Sequence, residues 1–96
     1  MLLPRIPMTI DDSMITRAIF ALLSQRATED SICPSDVARV LSADEALWRS
    51  LMPDIRRVAS CLAEAGVLRI TQGEATLPPN AIGSGPIRLR RGRLMR

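Results

Sequence analysis

The junction around Gly66 constrains the fold of this chain more than any other feature of its sequence. Residues 53–65 have the apolar period of an amphipathic helix, and VLRIT at residues 67–71 alternates as a half-buried strand does. Gly66 alone separates the two patterns. Because glycine readily adopts the left-handed conformation that closes many helices, we predict that the strand leaves directly from the end of the helix.

The predicted helix at residues 53–65 has an apolar side and a polar side. Successive side chains of a helix are rotated by about 100°, and this rotation places five residues on one arc, Ile55, Val58, Ala59, Leu62 and Ala63. The opposite side carries Arg56, Arg57, Ser60 and Glu64. We therefore expect Arg56 and Arg57 to face solvent, where reversing their charge would change the melting temperature very little.

The remaining patterns give an order of elements along the chain. DDSMITRAIFALLSQR, residues 11–26, has an apolar stripe at helical spacing with acidic residues in its first turn. Ser31 to Cys33 is extended, Pro34 suits the first position of a short helix, and SADEALWRS is a further short turn of helix. After the long helix, a turn at Gly73 joins two strands, and PIRLR at residues 86–90 alternates as a last strand or an extended segment.

This order is typical of a winged helix-turn-helix. Such a domain is mostly α with a small antiparallel sheet, and it consists of a three-helix core plus a β-hairpin wing. The recognition helix is predicted at residues 53–65 and the wing at residues 67–78. The predicted divisions of the chain are a flexible N-terminal arm at 1–10, a winged-helix domain at 11–87 and an Arg-rich C-terminal tail at 88–96.

The sequence lacks the residue types on which most enzyme sites depend. It contains no His, Tyr or Lys, which removes the commonest general base, the commonest metal ligand and the Schiff-base nucleophile. Cys33 and Cys61 form no CxxC pair and are expected to be small buried hydrophobes. We therefore predict that the protein is not an enzyme and has no catalytic site, no metal site and no cofactor.

The hydropathy of the chain bears on its location. The start, MLLPRIPM, is too short and insufficiently apolar for a signal peptide. The sequence has no run of about 18 apolar residues that could cross a bilayer. We expect a cytoplasmic protein with no membrane partner.

Positive charge is concentrated at the C-terminal end of the chain. Residues 1–87 hold eight Arg and ten acidic residues, a net charge of −2, whereas residues 88–96 hold five Arg and no acidic residue. A slightly acidic body lacks the broad basic surface of a strong DNA-binding protein. The Arg-rich tail could supply phosphate contacts, and it could equally serve only to keep a small protein in solution.

Three stretches resemble a known family. ICPSDVARVL, WRSLMPDIRRVASCLAEAGVLRIT and GPIRLRRG are similar, in that order and spacing, to short bacterial proteins grouped as a domain of unknown function. The likeness covers Ile15 to Gly92, and the WRSLMP and GPIRL stretches are its most specific parts. The resemblance implies a winged-helix fold and a DNA-binding role by kinship with winged-helix regulators, and it implies no catalytic or ligand-binding residues.

The main functional hypothesis is a double-stranded DNA partner and a role in transcription regulation. The recognition helix would enter the major groove, the hairpin tip would act as the wing, and the tail would follow the DNA backbone. The candidate DNA-binding residues are Arg56, Arg57, Ser60, Arg69, Arg88, Arg90, Arg91 and Arg93. A homodimer is considered because such regulators commonly bind paired half-sites, although no heptad pattern marks a dimer seam.

The alternative hypothesis is a protein-interaction module with the same fold and no affinity for nucleic acid. Phe20, which falls off the apolar stripe of the first helix, would form an apolar patch with Trp48 and Met52. The ring of Phe20 is otherwise expected to be covered by the N-terminal arm. The Arg-rich tail would then bind an acidic protein partner.

Overall fold

The chain forms four helices and four short strands in the computed structural model, which describes residues 10–95. The elements in order are α1 (Asp12–Ser24), β1 (Ser31–Ile32), α2 (Pro34–Leu41), α3 (Glu45–Ser50), α4 (Met52–Glu64), β2 (Leu68–Gln72), β3 (Ala75–Thr76) and β4 (Arg88–Arg91). The predicted mostly helical domain with a small antiparallel sheet is confirmed, and the arrangement is consistent with helices followed by a hairpin wing. Of the predicted arm at 1–10, only Ile10 lies within the described residues, where it packs against the core.

Local sequence signals explain where the helices begin. The Asp11 carboxylate accepts a hydrogen bond from the Met14 N–H at 2.9 Å, and this bond is the main reason that the pKa of Asp11 is lowered. The Asp44 carboxylate caps α3 in the same way by accepting from the Leu47 N–H at 3.0 Å. A single residue, Leu51, separates α3 from α4, and Pro53 occupies the first turn of α4, where a missing N–H costs nothing.

The sheet places β4 between β1 and β2. Its strand order is β1-β4-β2-β3, and each neighbouring pair is antiparallel. Leu89 lies opposite Ile32 of β1 and Ile70 of β2, and all three side chains are buried. The Arg-rich tail predicted to begin at residue 88 is therefore corrected, because its first four residues form an inner strand of the sheet.

One hydrophobic core joins the helices to the inner face of this sheet. Its buried apolar residues are Ile15, Ala18, Ile19, Leu23, Ile32, Val37, Ala38, Leu51, Ile55, Val58, Ala59, Leu68, Ile70, Ile87 and Leu89. The expectation of two buried cysteines was wrong for Cys61 of α4, which is exposed, whereas Cys33 is half-buried. Within residues 10–95, no helix combines the length and the apolar character needed to cross a membrane.

Gly66 connects α4 to β2 in the predicted manner. Its φ of 82° is in the left-handed region, and the Val67 N–H donates to the Leu62 carbonyl at 2.9 Å to close the helix. A side chain at this position would also meet Leu94, whose Cδ1 lies 3.1 Å from the place of a Cβ atom. The turn therefore depends on glycine for both conformation and space.

We predict that Gly66→Ala destabilises the protein more than Gly73→Ala does. Both residues have positive φ, so alanine should cost about 1–2 kcal/mol at either site. Only Gly66 has a neighbour within 4 Å of the added Cβ, which makes Gly73→Ala the matched control. Urea denaturation measures both free energies of unfolding, and equal losses would show that the contact with Leu94 has no effect.

Burial divides the predicted core positions of α4 into two groups. Ile55 is fully buried, whereas Leu62 is half-buried at the edge of the core. Ile55→Ala should therefore cost about 2–5 kcal/mol of unfolding free energy, as expected for a cavity in a closed core. Leu62→Ala should cost less in the same denaturation experiment, and the reverse order would mean that α4 is rotated differently.

Candidate nucleic-acid interface

Arg56 of α4 holds the long loop that precedes β4. Its Nη2 atom donates to the carbonyl oxygens of Gly83 at 2.7 Å and Gly85 at 3.2 Å. Ser60, one turn further along α4, lines a depression with Arg56, Ile82 and Gly83. The polar side of α4 thus faces away from the core as predicted, but the loop covers part of it.

Arg57 of α4 is neutralised by carboxylates. Its guanidinium donates two hydrogen bonds to Asp12 of α1, at 2.9 and 2.6 Å, and a longer one to Asp54 at 3.5 Å. The first of these partners raises the pKa of Arg57, and the same bonds lower the pKa of Asp12. Arg57 faces solvent as expected, whereas Arg56 is half-buried, and each of the two is bonded to another part of the chain.

The exposed side of α4 is not basic. Its exposed charged residues are Asp54, Arg57 and Glu64, one cation against two carboxylates. A helix that contacts DNA approaches a dense row of phosphates, which favours positive charge on that side. The predicted recognition helix therefore lacks the charge expected of a phosphate-facing surface.

The outer face of the sheet carries three arginines for which no ion pair with a carboxylate is found within residues 10–95. Arg69 of β2 lies directly opposite Arg90 of β4, and Arg88 lies two residues further along β4, opposite Thr71. Because side chains alternate across a strand, these three arginines share the face that points away from the core residues Ile70 and Leu89. We call Arg69, Arg88 and Arg90 the arginine face.

Neutral groups hold two members of the arginine face in place. Arg88 donates to the Ser31 hydroxyl at 2.9 Å and to the Ser31 carbonyl at 3.0 Å. Arg90 donates to the Thr71 hydroxyl at 3.2 Å and to the Glu29 carbonyl at 2.8 Å, and its side chain covers Thr71. These bonds position the guanidinium groups without cancelling their charge.

Carboxylates lie further from the arginine face. Among the described residues, Arg49 and Arg57 are the arginines that form ion pairs with carboxylates. The pKa of Asp36 is affected by the charge of Arg88. Burial raises this pKa, but hydrogen bonds from Cys33 and the charges of Arg26 and Arg88 lower it below its ordinary value. The face remains positively charged overall.

Arg91 and Arg93 have different surroundings from the arginine face. Arg91 lies opposite the buried Leu68, and its Nη2 donates to the Leu23 carbonyl at 2.8 Å, at the C-terminal end of α1. The same carbonyl also accepts a hydrogen bond from the Arg26 N–H at 3.1 Å, and Arg91 places a cation at the negative end of the helix dipole. Arg93 is exposed just beyond β4.

The three apolar residues of the alternative hypothesis do not line one pocket. Phe20 is half-buried and lines a depression with Val67, Leu94 and Met95. The predicted cover of its ring by the N-terminal arm lies outside the described residues, apart from Ile10. Met52 lines the depression beside Ile82. Trp48 is half-buried, with the guanidinium carbons of Arg39 and Arg49 at 4.9 and 5.1 Å from its ring centre.

Comparison with known proteins assigns the chain to a family. Residues 12–92 match the model of the family described as "Protein of unknown function (DUF3253)". The chain belongs to this family. The match ends just after β4, so the family unit includes the strand that the sequence divisions had placed in a tail. A search of curated proteins found no match.

Sequence patterns missed the partners of the arginines. Ser31, Thr71 and the Glu29 carbonyl hold the arginine face, yet none carries a motif in the sequence. The alternation of PIRLR was the one available signal, because it placed Arg88 and Arg90 on the side opposite Ile87 and Leu89. In residues 10–95, no cluster of three or more His, Cys, Asp or Glu side chains is placed to hold a metal ion.

We predict that Arg56→Ala destabilises the loop at residues 79–86. Losing two hydrogen bonds from a charged group to carbonyls should lower the free energy of unfolding by about 1 kcal/mol, since both bonds are near solvent. Amide hydrogen exchange should become faster at Gly83 to Gly85. Arg69→Ala is the matched control, because no hydrogen bond from Arg69 is found within the described residues. If both changes lower the free energy of unfolding equally, Arg56 does not stabilise the loop.

Proposed function

We propose that this protein binds double-stranded DNA through the phosphate backbone, using the arginine face. The observation that carries the proposal is the direct opposition of Arg69 and Arg90 across β2 and β4, with Arg88 beside them. Like charges directly opposite each other destabilise an antiparallel pair. A phosphate group between the guanidiniums would remove this repulsion, and DNA supplies phosphates at regular spacing.

The chemistry of the arginine face suits phosphate. A guanidinium stays charged at any physiological pH and presents planar donors that match phosphate oxygens. Arg88 and Arg90 are already fixed by Ser31, Thr71 and Glu29, so binding would immobilise fewer free side chains. Arg93, exposed just past β4, would extend the row of contacts.

The composition of the face favours duplex DNA over single strands. Proteins that bind single-stranded nucleic acid stack its bases on aromatic side chains. The aromatic residues of this chain are Phe20 and Trp48, which belong to α1 and α3 rather than to the sheet. We therefore propose contacts to the backbone of a duplex, with little direct reading of bases.

Helix α4 has a secondary role in this proposal. Arg56, Arg57 and Ser60 could contact DNA only after leaving the loop and Asp12, and those bonds would be lost on binding. The order of helices and hairpin supports a winged-helix regulator and hence a role in transcription, by analogy of fold. The charge distribution favours the sheet over α4 as the primary contact.

Salt-dependent DNA binding tests the proposal. Fluorescence anisotropy with a labelled random duplex is measured from about 50 to 200 mM salt, where binding should weaken steeply. Arg69→Gln/Arg88→Gln should lower the slope of log K against log salt by about 2, because each lost phosphate contact contributes about 0.9. Deleting residues 88–96 would be a poor substitute, because the deletion removes β4 and with it part of the core.

Two matched pairs separate the proposal from its alternatives. Arg17→Gln/Arg39→Gln, on α1 and α2, removes the same charge away from the arginine face and should leave the slope nearly unchanged. Arg56→Gln/Arg57→Gln tests α4 directly. If Arg56→Gln/Arg57→Gln lowers the salt slope more than Arg69→Gln/Arg88→Gln does, the main DNA contact belongs to α4 rather than to the arginine face. If the protein does not bind DNA even at low salt, an acidic protein partner is favoured instead.

A further inference from the structure

A cavity of about 440 Å³ lies between β2 and the C-terminal end of α4. It lies where the pairing of β2 with the segment at β3 ends: Thr71 and Gln72 pair with β3, and the last hydrogen bond runs from the Leu77 N–H to the Ile70 carbonyl at 2.8 Å. Pro78 and Pro79 follow soon after β3, and proline has no N–H with which to continue the ladder. The β2 edge at Leu68 and Arg69 is therefore left without a β3 partner, and the space beside it stays open.

The cavity combines an apolar floor with cationic walls. Ala63, Leu68 and Leu77 contribute to the floor, and Arg69, Arg91 and Arg93 contribute to the walls. Among residues 10–95, no Asp or Glu lines it. An apolar site with a few convergent polar groups is the usual form of a small-molecule pocket, and this volume falls within the range of about 300–1,000 Å³ for such pockets.

The donors of these arginines are incompletely used. Arg91 is fixed by its Nη2 bond to the Leu23 carbonyl, while its Nε is buried without a hydrogen-bond partner. A buried donor without a partner is unfavourable, and such exceptions call for a functional or structural explanation. Within residues 10–95, no hydrogen bond is found from Arg69 or Arg93, so both have donors available to an anion.

We infer that this cavity binds a small organic anion with an apolar body, of the class of a carboxylate on a hydrocarbon chain. The hydrocarbon would lie against Leu68 and Leu77, where its burial is favourable. The carboxylate would accept charge-assisted hydrogen bonds from the arginines at the wall. The three arginines would repel a cationic ligand. A neutral hydrocarbon ligand would give their guanidinium groups no hydrogen-bond acceptor.

Isothermal titration calorimetry with the full chain tests this inference without DNA, so its result is independent of the proposed function. Octanoate is the probe, and octan-1-ol and octylammonium are its neutral and cationic counterparts of the same chain length. Octanoate should bind about tenfold or more tightly than octan-1-ol, since only the anion makes charge-assisted bonds. Octylammonium should show no binding. Equal affinity for all three would overturn the inference.

Variants locate the binding site. Arg69→Gln/Arg93→Gln should weaken octanoate binding about tenfold or more, whereas Arg17→Gln/Arg39→Gln, with the same change in charge, should leave it unaltered. Arg91 is left intact because it also bonds to α1. Ala63→Phe keeps every charge but fills the cavity, so it should abolish binding while circular dichroism shows a folded protein. Unchanged octanoate affinity in Arg69→Gln/Arg93→Gln or in a folded Ala63→Phe protein would exclude this cavity as the site.

Discussion

The insertion of β4 between β1 and β2 is the constraint on which the rest of the structure depends. Leu89 is buried between Ile32 and Ile70, so the C-terminal strand packs against both β1 and β2. Because alternate residues of a strand point to opposite faces, burying Ile87 and Leu89 obliges Arg88 and Arg90 to face outward. The same pairing that completes the core therefore creates a basic surface.

The arginines of this small domain differ in function because their acceptors differ. Arg57 pairs with carboxylates, whereas Arg56 bonds to carbonyls of a loop and Arg91 bonds to a carbonyl at a helix end. Arg88 and Arg90 also bond to neutral acceptors, but on an exposed face of the sheet. Counting arginines by segment cannot separate these roles, since each is set by a residue distant in sequence.

The two proposed sites meet at β2. Arg69 belongs to the arginine face and also lines the cavity at the uncovered edge of the strand. This double placement follows from the shortness of β3, which leaves one edge of β2 open while β4 occupies the other. An edge strand with unpaired backbone groups is a liability in most proteins. Here Pro79, Arg69 and Arg93 border the open edge.

Local sequence patterns were sufficient to predict the helices, the strands and their order. Apolar periodicity predicted the helices, Gly66 predicted the junction of α4 and β2, and the alternation in PIRLR predicted the outward arginines. These features depend on residues close together in the chain, so local patterns suffice to reveal them.

The pairing of β4, the acceptors of the arginines and the position of the cavity follow from the packing of the folded chain. The bond from Arg57 to Asp12 and the bond from Arg91 to Leu23 each join residues more than 40 positions apart. No periodicity encodes such contacts, because they arise when packing of the core brings distant segments together. The sequence favoured α4 as the candidate interface, whereas the structure favours the sheet. On the sheet, strand pairing places the arginine face outward, and no ion pair with a carboxylate is found for it within residues 10–95.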